Sequence, residues 1–280
     1  MSFLAELTGC FSTGAAENPT VEIVEAAYKH HNLNFRYINC EVLPENLEAA
    51  VNGARAMGWV GFNCSIPHKV NVIKHLDGLG ASAKIIGAVN CAVLREGKFI
   101  GENTDGKGFL ASLQTVIEPV GKKVVIFGAG GAARAISVEL ALAGAAEIRI
   151  INRNEEKGKI LVDLLNSETS VKAQFVSWKT TYEIPEAIDI IVNATSIGMT
   201  PNINQRLDLR TDTFREGQVL ADVIVNPPLT HLIKEASERG CKVLNGQGMI
   251  VNQAVLGIKY WTGQDVDAQL MLKTLQNLAL

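Results

Sequence analysis

The sequence predicts an α/β protein of two domains, one of which is built on a doubly wound parallel sheet. The chain has 280 residues, about twice the usual length of a single domain. In its central part, short β-branched runs alternate with stretches of helix-forming residues. A glycine-rich turn separates the first of these runs from the stretch that follows it. This alternation is typical of parallel strands joined by helices.

The central part begins with a strand predicted at residues 122–127, where β-branched residues lead directly into a cluster of glycines. A helix is predicted at residues 132–140, ahead of Gly144, and a second strand at residues 147–151. The alternation then continues with strands predicted at residues 188–192, 219–225 and 242–244 and a helix at residues 230–239. Together these elements predict the doubly wound sheet over about residues 107–243.

The first hundred residues follow the same rhythm less regularly and predict a separate small α/β domain. Its predicted elements are helices at residues 22–31 and 47–57, a third helix that starts at Pro67 and contains residues 70–76, and strands at residues 34–39 and 59–63. Residues 248–280 are predicted to be mostly helical. From the residues alone, this tail either forms a separate third unit or packs on the first domain.

Composition and charge exclude several classes of protein. The chain has 26 Lys+Arg against 29 Asp+Glu, a net charge of −3, which gives no reason to expect a nucleic-acid partner. Its 47% hydrophobic content excludes a disordered chain. No apolar run approaches a membrane span, and the N-terminus does not resemble a signal peptide. The five scattered cysteines favour reduced thiols, so we expect a cytoplasmic protein, without a metal site.

The glycine-rich turn matches G-x-G-x-x-A, the pattern that binds the pyrophosphate of a dinucleotide. Glycines let the backbone N–H groups approach the phosphates, and the start of the following helix adds partial positive charge. The predicted cofactor contacts in this turn are Gly128, Ala129, Gly130, Gly131 and Ala132.

The residues after the second strand favour NADP over NAD. An NAD site usually has an acidic residue there for the ribose 2′-hydroxyl, whereas this chain has Asn152 and Arg153, with Lys157 one turn further on. A guanidinium pairs well with a 2′-phosphate. The alternative is that Arg153 is only a solvated loop charge. Glu155 and Glu156 would disfavour a phosphate if they pointed towards it.

Hydride transfer to a ketone also requires a proton donor. A dense polar stretch at residues 61–69 ends in His68 and Lys69, and Asn90 and Asp105 follow in two later polar clusters. Taken singly, Lys69 resembles a solvated surface charge and His68 a structural residue. Asn90 and Asp105 would ordinarily be turn residues.

Together these stretches resemble the shikimate dehydrogenase family along nearly the whole chain. The matching blocks are IPHK (66–69), GAVN (87–90), ENTDGKGF (102–109), GAGGAARA (128–135), NATSIGM (193–199), DVIVNPPLT (222–230) and NGQGMIVNQA (245–254). The resemblance implies that residues 1–106 and 244–280 form an α/β catalytic domain completed by the C-terminal helices. Residues 107–243 would be an inserted Rossmann-type nucleotide-binding domain, with the active site in the cleft.

The resemblance also assigns roles to individual residues. Lys69 and Asp105 become a catalytic proton-transfer pair, and Arg153 holds the 2′-phosphate. The implied substrate ligands are Asn18, Ser65, Asn90 and Gln253, and the implied nicotinamide contacts are Thr195, Ser196, Met199, Val223 and Gly246. The sequence does not decide which of Lys69 and Asp105 transfers the proton. Alcohol oxidation requires the Lys69 amine to lose its proton, so we expect the oxidation rate to rise with pH.

The chain departs from the family where the substrate carboxylate is expected to bind. Members usually carry H-S-x-S-P there, and alignment on Pro19 places Ala16 and Asn18 at the two serine positions. Asn18 can still donate an amide hydrogen bond, Ala16 cannot, and Glu17 adds a negative charge. Val225 also replaces a tyrosine that is common in the family. Changed hydrogen-bonding partners alter substrate discrimination, often by orders of magnitude.

The resemblance therefore implies NADP-dependent, reversible reduction of 3-dehydroshikimate to shikimate, a step of chorismate and aromatic amino acid biosynthesis. The first alternative is a paralogue acting on quinate, an aminoshikimate or a related cyclic polyol acid, with NADP or NAD. A non-catalytic nucleotide sensor is the second alternative, against which the retained Lys69–Asp105 pair argues. We expect a small-molecule substrate, no membrane partner, and either a monomer or a homodimer.

Overall fold

The computed structural model describes residues 3–278 and divides the chain into two compact units. One unit is formed by Met1–Thr104 and Val251–Leu280, and the other by Asp105–Ile250. The junctions fall after residues 104 and 250, against predicted positions after 106 and 243. Both lie inside helices rather than in linkers, so no change in composition marks them. The outermost predicted bounds, Met1 and Leu280, lie outside the described residues.

Residues 3–114 contain six strands and five α-helices. In chain order they are β1 (Glu6–Ser12), α1 (Thr20–His30), β2 (Phe35–Glu41), α2 (Leu47–Ala56), β3 (Gly61–Cys64), α3 (His68–Asn71), β4 (Gly78–Leu79), α4 (Ala81–Ile86), β5 (Cys91–Arg95), β6 (Lys98–Glu102) and α5 (Thr104–Gln114). Single 3₁₀ helices lie at Ala15–Glu17, Pro44–Asn46 and Val72–His75.

The second half begins with the strand that precedes the glycine turn. Its elements are β7 (Lys123–Phe127), α6 (Gly131–Leu142), β8 (Glu147–Asn152), α7 (Glu155–Glu168), β9 (Lys172–Ser177), β10 (Tyr182–Glu183), β11 (Ile190–Asn193), β12 (Leu209–Arg210), β13 (Val219–Asp222), α8 (His231–Glu238), β14 (Lys242–Leu244), α9 (Gly246–Thr262) and α10 (Ala268–Gln276).

The unit formed by Asp105–Ile250 contains the predicted doubly wound sheet. Its six strands are ordered β14-β13-β11-β7-β8-β9, and every neighbouring pair is parallel. The order reverses at β7, which is the first strand of this sheet along the chain. Val125, Phe127, Ile191 and Leu220 pack with Trp178 in a buried cluster. The prediction of a parallel, Rossmann-type sheet is confirmed.

The other unit contains a mixed sheet in the order β2-β1-β3-β5-β6-β4. Strands β1, β2 and β3 are parallel, whereas β5 is antiparallel to both of its neighbours. One face is apolar, where Phe11 stacks on Phe62 and Phe62 contacts Phe99 edge-on. The opposite face carries buried polar side chains, among them Tyr37 and Asn63.

The C-terminal helices pack on this same unit. Helix α10 packs against α1, and the indole Nε1 of Trp261 on α9 donates a hydrogen bond of 3.0 Å to the Ala92 carbonyl. The tail therefore returns to the first unit rather than forming a third piece. No helix within residues 3–278 combines the length and the apolarity that crossing a membrane requires.

Candidate functional site

The glycine turn has the backbone that phosphate binding requires. Gly128 adopts a φ of +108°, and a Cβ there would lie 2.8 Å from the Ala194 carbonyl oxygen, so only glycine fits. Helix α6 begins at Gly131, and a Cβ on Gly130 or Gly131 would meet no atom within 4 Å. The space in front of the helix N-terminus is therefore open, which fits a bound pyrophosphate.

Arg153, directly after β8, is held in place by an aromatic ring. Its guanidinium carbon lies 5.1 Å from the centroid of the Trp178 ring, although the residue is exposed. This cation–π contact orders the guanidinium beyond the end of the strand. Lys157 is exposed in the first turn of α7, and Asn152 donates from its side chain to the Asn154 carbonyl. Arg153 and Lys157 fit a ribose 2′-phosphate.

The negative charge of Glu155 would repel a phosphate bound here, but Glu155 has a cationic partner. Lys179 Nζ lies 2.7 Å from the Glu155 carboxylate, and Ser177 Oγ donates to it at 3.2 Å. The pKa of Glu155 is lowered by the hydrogen bond from Lys179, with Ser177 adding to the effect. Its negative charge is therefore paired locally, which reduces its repulsion of a phosphate.

The predicted nicotinamide contacts lie at the carboxyl edge of the same sheet. Thr195, Ser196 and Met199 follow β11, Val223 follows β13, and Gly246 follows β14. A Cβ on Gly246 would clash with the Val223 carbonyl, so these two residues pack backbone against backbone. The glycine turn and Arg153 occupy this edge as well, after β7 and β8. The structure thus brings the predicted cofactor residues together at one edge.

Asp222 joins two of these loops, and the sequence reasoning missed it. Its carboxylate accepts hydrogen bonds from Asn193 Nδ2 at 3.0 Å, Thr230 Oγ1 at 2.7 Å and the Ile224 N–H at 3.1 Å. Asn193 Oδ1 in turn accepts from the Thr195 hydroxyl at 2.7 Å. Asn193 and Asp222 are polar residues at the ends of two neighbouring buried strands, and this pattern in the sequence could have indicated Asp222. Asp222 therefore links the end of β11 to the loop that follows β13.

Burial raises the pKa of Asp222 from 3.8 to about 6, so the folded protein holds this proton at pH values where the unfolded chain releases it. The contribution of this group to stability therefore falls as pH rises from about 4 to about 6 and is constant above that range. We expect the unfolding free energy of the wild type, relative to Asp222→Asn, to fall by on the order of 2–3 kcal/mol over that range. Urea unfolding at several pH values measures the difference. Asp163→Asn, an exposed change on α7, is the control, and an equal pH dependence for both variants contradicts the assignment.

The predicted substrate ligands Asn90 and Gln253 are joined through Thr104. Asn90 Oδ1 accepts from the Thr104 N–H at 2.6 Å, and Asn90 Nδ2 donates to the Thr104 hydroxyl at 3.0 Å. The same hydroxyl donates to Gln253 Oε1 at 3.4 Å. Asn63, which the sequence reasoning missed, donates to the Asn90 carbonyl at 2.9 Å and accepts from the Tyr37 hydroxyl at 2.8 Å. Thr104 thus orients the Asn90 carboxamide, and Asn63 holds the Asn90 backbone.

Lys69 lies in the first turn of α3, half-buried at the carboxyl edge of the mixed sheet. Its neighbour His68 is fully buried and bonds through Nε2 to the Val42 carbonyl at 2.8 Å, so it is structural. Ser65 is half-buried, and its N–H donates to the Phe11 carbonyl. Asp105 is the second residue of α5 and belongs to the other unit. The Lys69–Asp105 pair stays a prediction.

Asn18 lies directly after the 3₁₀ helix Ala15–Glu17, and its side-chain oxygen accepts from the Thr20 N–H at 3.1 Å. Ala16 and Glu17 are exposed.

All five cysteines carry free thiols. No cluster of three or more metal-ligating side chains occurs within residues 3–278.

Three family models match the chain in order. They are the shikimate dehydrogenase substrate binding domain over residues 16–92, shikimate/quinate 5-dehydrogenase over residues 112–229, and the shikimate 5′-dehydrogenase C-terminal domain over residues 246–276. Among curated proteins, the shikimate dehydrogenase (NADP⁺) of Methanocaldococcus jannaschii is 41% identical over 251 residues, covering 88% of this chain and 87% of the relative.

Solved structures include two informative neighbours. The ligand-free 5-ketofructose reductase of Gluconobacter sp. strain CHM43 is 53% identical with a TM-score of 0.96, and 99% of each chain is covered. The shikimate 5-dehydrogenase of Listeria monocytogenes, in complex with shikimate and NAD, is 33% identical with a TM-score of 0.93 over 98% of each chain.

Proposed function

Because the chain belongs to the shikimate dehydrogenase family, we propose that it is an NADP-dependent oxidoreductase whose substrate is a neutral, polyhydroxylated ketone, with 5-ketofructose as the first candidate. The observation that carries this proposal is Ala16, which offers no side-chain donor where the family usually has a serine for the substrate carboxylate. The 53% identity to a 5-ketofructose reductase over 99% of both chains supports the same substrate class.

The environment of Ala16 disfavours an acid for electrostatic reasons. The N–H groups of Gly14 and Ala15 donate to the Glu41 carboxylate at 2.9 and 2.8 Å, so they offer nothing to a second carboxylate. Glu17 adds another negative charge to the segment. Each charge-assisted hydrogen bond that a substrate carboxylate fails to make costs about 1.5–3 kcal/mol, or about 10- to 100-fold in affinity. A substrate that presents hydroxyl groups instead avoids this cost.

A second candidate substrate is 3-dehydroshikimate, which the relatives named shikimate dehydrogenase favour. The polar set Asn90, Thr104 and Gln253 suits ring hydroxyls as well as those of a sugar. Both candidates present a ketone and several hydroxyl groups, but only 3-dehydroshikimate carries a carboxylate. Residues 14–18 therefore decide between them.

The chain's own residues supply binding and proton transfer. The glycine turn would hold the pyrophosphate of NADPH and Arg153 and Lys157 its 2′-phosphate, and the bound cofactor would supply the hydride for the carbonyl carbon. Asn90 and Gln253 bind substrate hydroxyl groups and orient the ketone. Lys69 Nζ donates the proton that neutralises the developing alkoxide, and Asp105 is assigned with it as the second member of the proton-transfer pair. The reaction adds one hydride and one proton to the ketone and yields an alcohol.

Exchange of the two divergent residues tests the substrate class. We expect Ala16→Ser combined with Asn18→Ser to raise kcat/KM for 3-dehydroshikimate by about 10-fold or more, because a hydroxyl donor to the carboxylate is restored. The value for 5-ketofructose should fall. Steady-state NADPH oxidation measures both ketones, and Ala187→Ser, at an exposed loop position, is the matched control. Unchanged preference in the double variant contradicts the role given to this segment.

A further inference from the structure

The segment of residues 14–18 is held by two side chains from a neighbouring strand. It contains the 3₁₀ helix Ala15–Glu17 and ends at Asn18. Asn39 and Glu41 lie two residues apart on β2, so they project from the same face of the sheet. In register, Asn39 is opposite Cys10 and Glu41 is opposite Ser12, near the carboxyl end of β1.

Glu41 binds the beginning of the segment. One carboxylate oxygen accepts from the Gly14 N–H at 2.9 Å and the other from the Ala15 N–H at 2.8 Å. These two hydrogen bonds lower the pKa of the Glu41 carboxyl. Glu41 therefore remains an ionised acceptor, and charge-assisted hydrogen bonds of this kind are stronger than neutral ones.

Asn39 binds the two ends of the 3₁₀ helix. Its Nδ2 donates to the Ala15 carbonyl at 2.9 Å and to the Asn18 carbonyl at 3.0 Å. One carboxamide thus spans the turn that carries the two positions at which the family usually has serine. Glu41 and Asn39 together bind N–H groups and carbonyl groups of the same five residues.

The held segment lies beside the predicted catalytic lysine. The Thr13 N–H donates to the Ile66 carbonyl at 3.3 Å, which joins the segment to the loop that leads into α3. Burial raises the pKa of the Cys10 thiol on β1 to about 11, and Asn18 and Lys69 are both near enough to lower it in part. The segment is therefore close enough to Lys69 for its shape to affect a substrate bound there.

We propose that Asn39 and Glu41 are positioning residues that hold residues 14–18 in one shape and thereby set substrate affinity and preference. They act through the segment and do not themselves contact the reacting atoms. This inference rests on the proposed function in one respect, that the segment faces the substrate. Pre-organisation of this kind lowers the ordering cost of binding, so its loss acts on KM more than on kcat.

Two near-isosteric variants test the proposal. Asn39→Asp replaces the donor with an acceptor that repels both carbonyl groups, and Glu41→Gln retains only one of the two acceptors. We expect each to raise KM for the ketone by about 10-fold, with kcat and the NADPH dissociation constant within about 3-fold of wild type. Asn34→Asp is the matched control, because Asn34 is an exposed carboxamide that also donates to a carbonyl, that of Leu4 at 2.8 Å.

The kinetics are measured with whichever of 5-ketofructose and 3-dehydroshikimate the wild type reduces better, so a wrong substrate assignment leaves this test intact. In an Asn18→Ala background, Asn39→Asp should change KM by less than about 3-fold, because Asn18 carries the side chain of the segment that is assigned to the substrate, and its removal leaves no such side chain to position. Additive effects overturn the proposal.

Amide hydrogen exchange gives a readout that needs no substrate. Glu41→Gln should accelerate exchange at Gly14 and Ala15 by about 10-fold or more, without a change in the strands of the mixed sheet. Unchanged exchange at these amides overturns the proposal, as does an equal loss of kcat, NADPH affinity and thermal stability in both variants.

Discussion

Replacement of Lys69 by alanine is expected to lower kcat for ketone reduction by about 10³-fold, while the NADPH dissociation constant stays within about 3-fold of wild type. The reason is that reduction develops an alkoxide, and Lys69, half-buried at the start of α3, is the residue assigned to protonate it. Cofactor binding relies on other residues, at the edge of the parallel sheet. Steady-state turnover and fluorescence titration with NADPH measure the two effects separately.

The matched control is Lys74→Ala, since Lys74 is an exposed lysine in the 3₁₀ helix that follows α3. This change should leave kcat near the wild-type value. Lys69→Arg separates charge from proton transfer, because arginine keeps the positive charge but does not release its proton. We expect the kcat of Lys69→Arg to be as low as that of Lys69→Ala. A Lys69→Ala variant with near wild-type turnover removes Lys69 from the mechanism.

Replacement of Arg153 by alanine is expected to raise the NADPH dissociation constant by about 10- to 100-fold and to leave NADH binding within about 3-fold. A charge-assisted contact to the 2′-phosphate is lost, and NADH lacks that phosphate. The stack on Trp178 at 5.1 Å means that the guanidinium is ordered before the cofactor binds. Isothermal titration with both cofactors measures the ratio.

Lys172→Ala provides the control for Arg153. Lys172 is an exposed cation at the beginning of β9, whereas Arg153 follows the end of the parallel strand β8. The two charges therefore lie at opposite edges of one sheet, and the Lys172 change should affect neither cofactor. If Arg153→Ala weakened the binding of NADPH and NADH equally, Arg153 would not contact the 2′-phosphate.

The sequence pattern predicts the parallel sheet well and the mixed sheet poorly, for a physical reason. Strands β7 and β8 are β-branched runs that end at a glycine or asparagine, and local pattern is enough to recognise them. Strand β1 contains Gly9, which ordinarily indicates a turn. In the structure a Cβ there would clash with the Ile38 carbonyl and the Trp59 ring. Gly9 is required by a close tertiary approach of Ile38 and Trp59, which the local sequence pattern does not show.

The helix predicted to start at Pro67 and to contain residues 70–76 starts there, but only its first turn is an α-helix. The α-helix begins at His68 and gives way after Asn71 to the 3₁₀ helix Val72–His75. His68 is fully buried and bonded to the Val42 carbonyl. That distant contact anchors the start of the helix and has no signature in the local sequence.

For the candidate site, the family resemblance names residues that bind ligands but not those that support them. Asn39, Glu41, Asn63 and Asp222 act through hydrogen bonds to residues 21–29 positions away, or to neighbouring backbone. Such partners are recognised only once strand register is known. The prediction that Lys69 and Asp105 act together, and the predicted oligomeric state, remain to be tested.

The central claim is that this member of the family recognises a neutral ketone rather than an acid. The ratio of kcat/KM for 5-ketofructose to that for 3-dehydroshikimate, measured with NADPH in one preparation and one buffer, tests it most directly. The absence of a carboxylate-binding hydroxyl at Ala16 and the Glu41 carboxylate on Gly14 and Ala15 predict a ratio of about 100 or more. A ratio below one contradicts the claim and makes the chain a shikimate dehydrogenase with an altered carboxylate site.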